Sequence, residues 1–123
     1  MNEPVVVKNR KKVAQLIFDV LLNKKTVLVA LKNFPKVKSD LSVNTAFHAL
    51  VHLEADEDIR KKDGLYAKEQ DEYLYDIATT LSKGDSLPFN VISQYDEYYT
   101  DSLIYPKQNK KTILESLKKI INL

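Results

Sequence analysis

The run Val43-Asn44-Thr45-Ala46-Phe47-His48-Ala49-Leu50-Val51-His52-Leu53-Glu54-Ala55-Asp56-Glu57-Asp58-Ile59-Arg60 decides the fold class. Its apolar residues Val43, Ala46, Phe47, Leu50 and Val51 recur with helical spacing and define one buried stripe. At about 100° per residue, Glu54 falls on the centre of that stripe and Asp58 lands close to it. A carboxylate on the core face of a helix is costly unless something pairs with it. The helix is therefore expected to carry either a satisfied structural acid or a working one.

Similar periodicity extends in both directions. Upstream, Asn9 is a cap for a first helix reaching about Asn23, with Val13, Leu16, Ile17, Val20 and Leu21 on one face. Thr26 caps a short second helix from Val27 to about Asn33, which Pro35 stops, and residues 34–41 read as a loop. Ser42 or Asn44 would cap the third helix, and Gly64 marks a break after it. Downstream, a fourth helix spans about Leu65 to Ser82 with a stripe of Tyr66, Tyr73, Leu74, Ile77, Ala78 and Leu81, and with Gln70 among them. Lys83-Gly84 is its stop signal. Asp85 or Ser86 caps a fifth helix with Pro88 in its first turn, faced by Val91, Ile92, Tyr95, Tyr98 and Tyr99 and ending near Thr100. Residues 101–109 form a loop, and a last helix runs from about Lys110 to Ile121.

The expected architecture is all-α: one domain over residues 1–123, an irregular bundle of five or six helices. Two Gly and four Pro supply too few turns for a sandwich or barrel. The absence of Cys excludes disulfides and thiol chemistry. The first residues do not read as a signal peptide, and no window approaches the about 18 apolar residues of a membrane span. A cytoplasmic location follows as the expectation, and the lysine-rich composition has the look of a small bacterial protein. Charge is segregated. Residues 1–40 net +6, residues 41–101 net −8 and residues 102–123 net +4.

Four constellations are candidates for function. Glu54, Asp58, Gln70, Tyr66 and Tyr73 form a polar set that a third and fourth helix packed antiparallel would bring together, with tyrosine hydroxyls as donors. His48 and His52, four apart on one helix face, have the geometry of a metal pair, with Asp56 continuing the row. Tyr95, Asp96, Glu97, Tyr98 and Tyr99 form an acidic, aromatic surface suited to a basic peptide or a self-contact. Lys8, Arg10, Lys11 and Lys12, with Lys107, Lys110 and Lys111, are a basic set of the kind that contacts phosphates. Only two Arg stand in the chain, which weighs against base readout.

Catalytic motifs are otherwise thin. There is no glycine-rich phosphate loop, no G-x-S-x-G elbow and no H-E-x-x-H. No cofactor is implied. The composition favours a non-enzymatic interaction or regulatory module, acting on a protein partner or on itself. A ligand or metal site on the His48/His52/Glu54 helix is the rival, and nucleic-acid binding is the third reading.

Overall fold

A computed structural model describes residues 3–37 and 39–94. They form α1 (Val5–Leu21), α2 (Val27–Lys32), α3 (Leu41–Ala55), α4 (Glu57–Lys62) and α5 (Gly64–Ser82). A further helical stretch, α6, begins at residue 89 and is described to residue 94. No strand occurs among the described residues, and the fold is an all-α bundle. None of the described helices is long and apolar enough to cross a membrane. The expected loop at 101–109 and the helix Lys110–Ile121 lie outside the described residues.

α1 and α5 share the most extensive helix contact, and α3 packs against α1, α2 and α5. Their inward residues merge into one apolar cluster, with Val13, Ile17, Leu50, Leu74 and Leu81 fully buried at its centre. Val91 and Ile92 of α6 pack on its edge. Burial of such stripes, more than intrinsic propensity, holds helices of this length together.

The ends follow local chemistry. Thr26 Oγ1 accepts the Val29 N–H at 3.2 Å and starts α2. At the end of α1, Asn23 takes a left-handed φ of 59°. Its N–H bonds Val20 O at 3.0 Å, and the Lys24 N–H bonds Asp19 O at 2.8 Å. This pair of bonds is the Schellman closure, with Asn in the place usually held by Gly. Gly84 ends α5 with φ 79°, and its N–H donates to Leu81 O at 2.9 Å.

Besides the start of α6 at residue 89, after Pro88 and without a cap at Asp85 or Ser86, three expectations need correction. α1 starts at Val5, directly after Pro4, and not at Asn9. Val7 packs onto Gly84 closely enough that a Cβ there would lie 2.7 Å from Val7 Cγ1, so tertiary contact draws the β-branched start into the helix. α3 is capped by Asp40, whose Oδ1 accepts the Ser42 N–H at 3.0 Å, and not by Ser42 or Asn44. Ser42 is itself buried and accepts the Leu87 N–H through Oγ at 2.9 Å, tying the start of α3 to the segment after α5.

The third correction concerns the decisive run. α3 ends at Ala55, and Asp56 (φ −93°, ψ 13°) separates it from α4. The buried side of α3 comprises Val43, Ala46, Ala49, Leu50, Val51 and Leu53, together with Ser42 and Thr45. Glu54 is half-buried at its margin, not central. α4 buries no residue. With nothing apolar to bury except Ile59, the chain gains nothing by continuing α3 straight, and it turns back to meet α5 through polar contacts.

Candidate functional site

The first half of α5 extends past the core; its buried residues begin only at Leu74. Tyr66, Glu69, Gln70 and Tyr73 stand at i, i+3, i+4 and i+7, so they share one face. Opposite them, His52 and Asp56 stand four apart at the end of α3. With Gln94 of α6, these residues line an open cleft of about 480 Å³.

Asp56 organises the floor. Its Oδ2 accepts from Tyr66 Oη at 2.6 Å and from Gln70 Nε2 at 3.2 Å. Gln70 faces two ways, because its Oε1 accepts from Arg60 Nη1 at 2.9 Å. Arg60 is the anchor of α4. Nη1 also donates to Ala67 O at 3.1 Å, and Nη2 pairs with Asp71 Oδ1 at 2.8 Å. One guanidinium thus joins α4 to three points on α5, with the planar fork geometry that Arg provides.

Burial pushes the His52 imidazole below its ordinary value of 6.5, and the negative charge of Asp56 pulls part of the way back. The ring is therefore neutral at pH 7. The cleft consequently presents two carboxylates (Asp56 and Glu69), two phenols and a neutral imidazole. That lining attracts a cation: carboxylates supply charge, and tyrosine rings supply faces and polar tips.

The sequence-based candidates distribute as follows. Tyr66, Gln70 and Tyr73 of the polar set do line one cleft. The acid that joins Tyr66 and Gln70 is Asp56, whereas the Glu54 side chain has no hydrogen bond or ion pair among the described residues, and Asp58 is exposed on α4. The break at Asp56 causes this exchange, since it takes Asp58 off the line of α3. Of the metal set, His52 and Asp56 share the cleft, while His48 lies edge-on to Phe47 with ring centroids 6.0 Å apart. Among the described residues no three His, Asp or Glu side chains form a group able to hold a metal ion.

Tyr95, Asp96, Glu97, Tyr98 and Tyr99 lie outside the described residues, as do Lys107, Lys110 and Lys111. In the remaining basic set, Lys8 and Lys12 are exposed. Lys11 pairs with Glu3 at 2.6 Å, and Arg10 is engaged by Asp40 and by Gly84 O, each at 3.0 Å. Arg60, Glu69, Asp71 and Gln94 were not singled out from sequence. The i, i+3, i+4, i+7 spacing of polar and aromatic positions on α5 is the signal that locates Glu69; nothing local marks Arg60.

No protein-family model matches the chain, and comparisons with curated proteins and with solved structures find no significant match to either.

Proposed function

We propose that the protein is a non-enzymatic interaction module whose cleft receives a lysine or arginine side chain from a basic segment of a protein partner. The observation that carries this reading is the lining itself: Asp56 and Glu69 beside Tyr66 and Tyr73, with His52 held neutral. The surrounding sequence supports it, because residues 41–94 carry ten Asp/Glu against five Lys/Arg, an acidic balance that steers a basic partner. On this reading, recognition rests on acids and tyrosines of α5 and the end of α3, a different set from the Tyr95–Tyr99 surface expected from sequence, which lies outside the described residues.

A lysine hexapeptide tests the proposal by calorimetric titration, with a glutamate hexapeptide as control. Saturable binding that weakens with salt is expected for the lysine peptide alone. The Glu69 side chain is exposed and makes no hydrogen bond or ion pair among the described residues, so Glu69→Gln removes charge without disturbing the fold. That variant is expected to lose roughly two- to fivefold in affinity, the scale of a solvent-accessible ion pair. Binding that is absent, or indifferent to Glu69→Gln, overturns the proposal.

A further inference from the structure

Two observations meet at Gln70. α4 buries no residue, so its position depends on polar contacts, chiefly the three that Arg60 makes to α5. Gln70 belongs to that latch through Oε1 and to the cleft through Nε2, which donates to Asp56. The amide cannot serve both sides in any other orientation. Turned over, it would offer its oxygen to the cleft and its NH₂ to the Arg60 guanidinium, where two donors face each other.

We propose that α4 is a latch coupled to the cleft through Gln70: a cation bound in the cleft loosens α4, and release of α4 strengthens cation binding. The inference rests on the cation-binding reading above. An ammonium or guanidinium paired with Asp56 draws on the negative charge that also holds Gln70 Nε2 at Oδ2, and it favours the turned amide, whose oxygen it can use. The turned amide gives up the bond to Arg60. Among the described residues Arg60 then keeps only Asp71 and Ala67 O as acceptors, and Asp71 is half solvent-exposed, with a side-chain exposure of 45%, so that its pairing is weak. Linkage makes the effect reciprocal: removing Arg60 frees Gln70 Oε1 and withdraws a positive charge from beside the cleft.

Hydrogen exchange of residues 57–63, followed by mass spectrometry with and without the lysine hexapeptide, tests the coupling. At saturating peptide, exchange in this segment is expected to accelerate about fivefold, the lower end of ordinary coupling strengths, while protection in α1 and the second half of α5 is unchanged. Arg60→Gln is expected to accelerate the same segment without peptide and to bind the peptide about fivefold tighter. Lys61→Gln makes the same change in charge on α4 without touching the latch, since among the described residues Lys61 pairs only with Glu57, at 3.2 Å. It is expected to leave segment exchange unchanged and to tighten binding by less. Peptide binding with unaltered exchange in 57–63, or equal effects of Arg60→Gln and Lys61→Gln, overturns the coupling alone. Failure of the peptide to bind overturns the coupling together with the proposed function.

Discussion

Arg10 grips Asp40 with two nitrogens, Nε at 3.0 Å from Oδ2 and Nη2 at 3.4 Å from Oδ1. The Asp40 side chain is only 5% exposed, and Arg10 Nη1 also donates to Gly84 O at 3.0 Å. One side chain of α1 therefore fixes the start of α3 and the end of α5. Arg10→Met leaves the Asp40 carboxylate buried with only the Ser42 N–H as a partner among the described residues. A loss of about 3 kcal/mol is expected, near the lower end for broken buried pairs. Urea unfolding of the variant beside the parent measures it. A loss under about 1 kcal/mol would mark the pair as an ordinary surface contact.

Gly84 is required twice over. Its φ of 79° disfavours any residue with a Cβ, and a Cβ at this position would come 2.7 Å from Val7 Cγ1. The left-handed backbone alone costs about 1–2 kcal/mol for alanine. Displacement of Val7, a side chain stiff about χ1, adds to it. Gly84→Ala should lower the thermal midpoint by at least about 5 °C. In contrast, a Cβ added at Gly64 would meet nothing within 4 Å, and Gly64→Ala serves as the tolerant control.

Glu54 separates the linear reading from the folded one. On the centre of a buried stripe, its exchange for leucine would alter stability by several kcal/mol. At the half-buried margin, with no hydrogen bond to lose among the described residues, Glu54→Leu is expected to change stability by no more than about 0.5 kcal/mol. Calorimetric melting should place the two midpoints within about 3 °C of each other.

His52 gives the fold a pH dependence of definite sign. Its folded-state value lies below 6.5 because of burial, with Asp56 opposing, and Glu69 is the other charged group among the described residues that line the cleft with it. As pH falls through 6.5, the unfolded chain takes up the proton before the folded one does. Stability therefore declines from about pH 6.5 down to the lowered value and is insensitive to His52 above that range. Unfolding free energies in steps from pH 8 to pH 5 should show a shallower decline for His52→Gln than for the parent. Equal slopes would mean that the ring is not desolvated.

Much of the helical framework was legible in the sequence because its causes are local. The stripe Val13, Leu16, Ile17, Val20, the cap at Thr26, the stop at Gly84 and the stripe Leu74, Ile77, Ala78, Leu81 each lie within a few turns of one helix, and each is found where periodicity and capping put it. Tertiary structure decided which acid joins Tyr66 and Gln70. Periodicity projects a run of residues onto one straight rod, and on that rod Glu54 is central and Asp56 peripheral. The chain breaks the rod at Asp56 because residues 57–62 have almost nothing apolar to bury, and the turn carries α4 back against α5. Arg60 then reaches Gln70 and Asp71, ten and eleven residues away, and Arg10 reaches Asp40 across thirty. Partners so placed satisfy charges that local propensity leaves unassigned, and only packing of the helices brings them within hydrogen-bond distance.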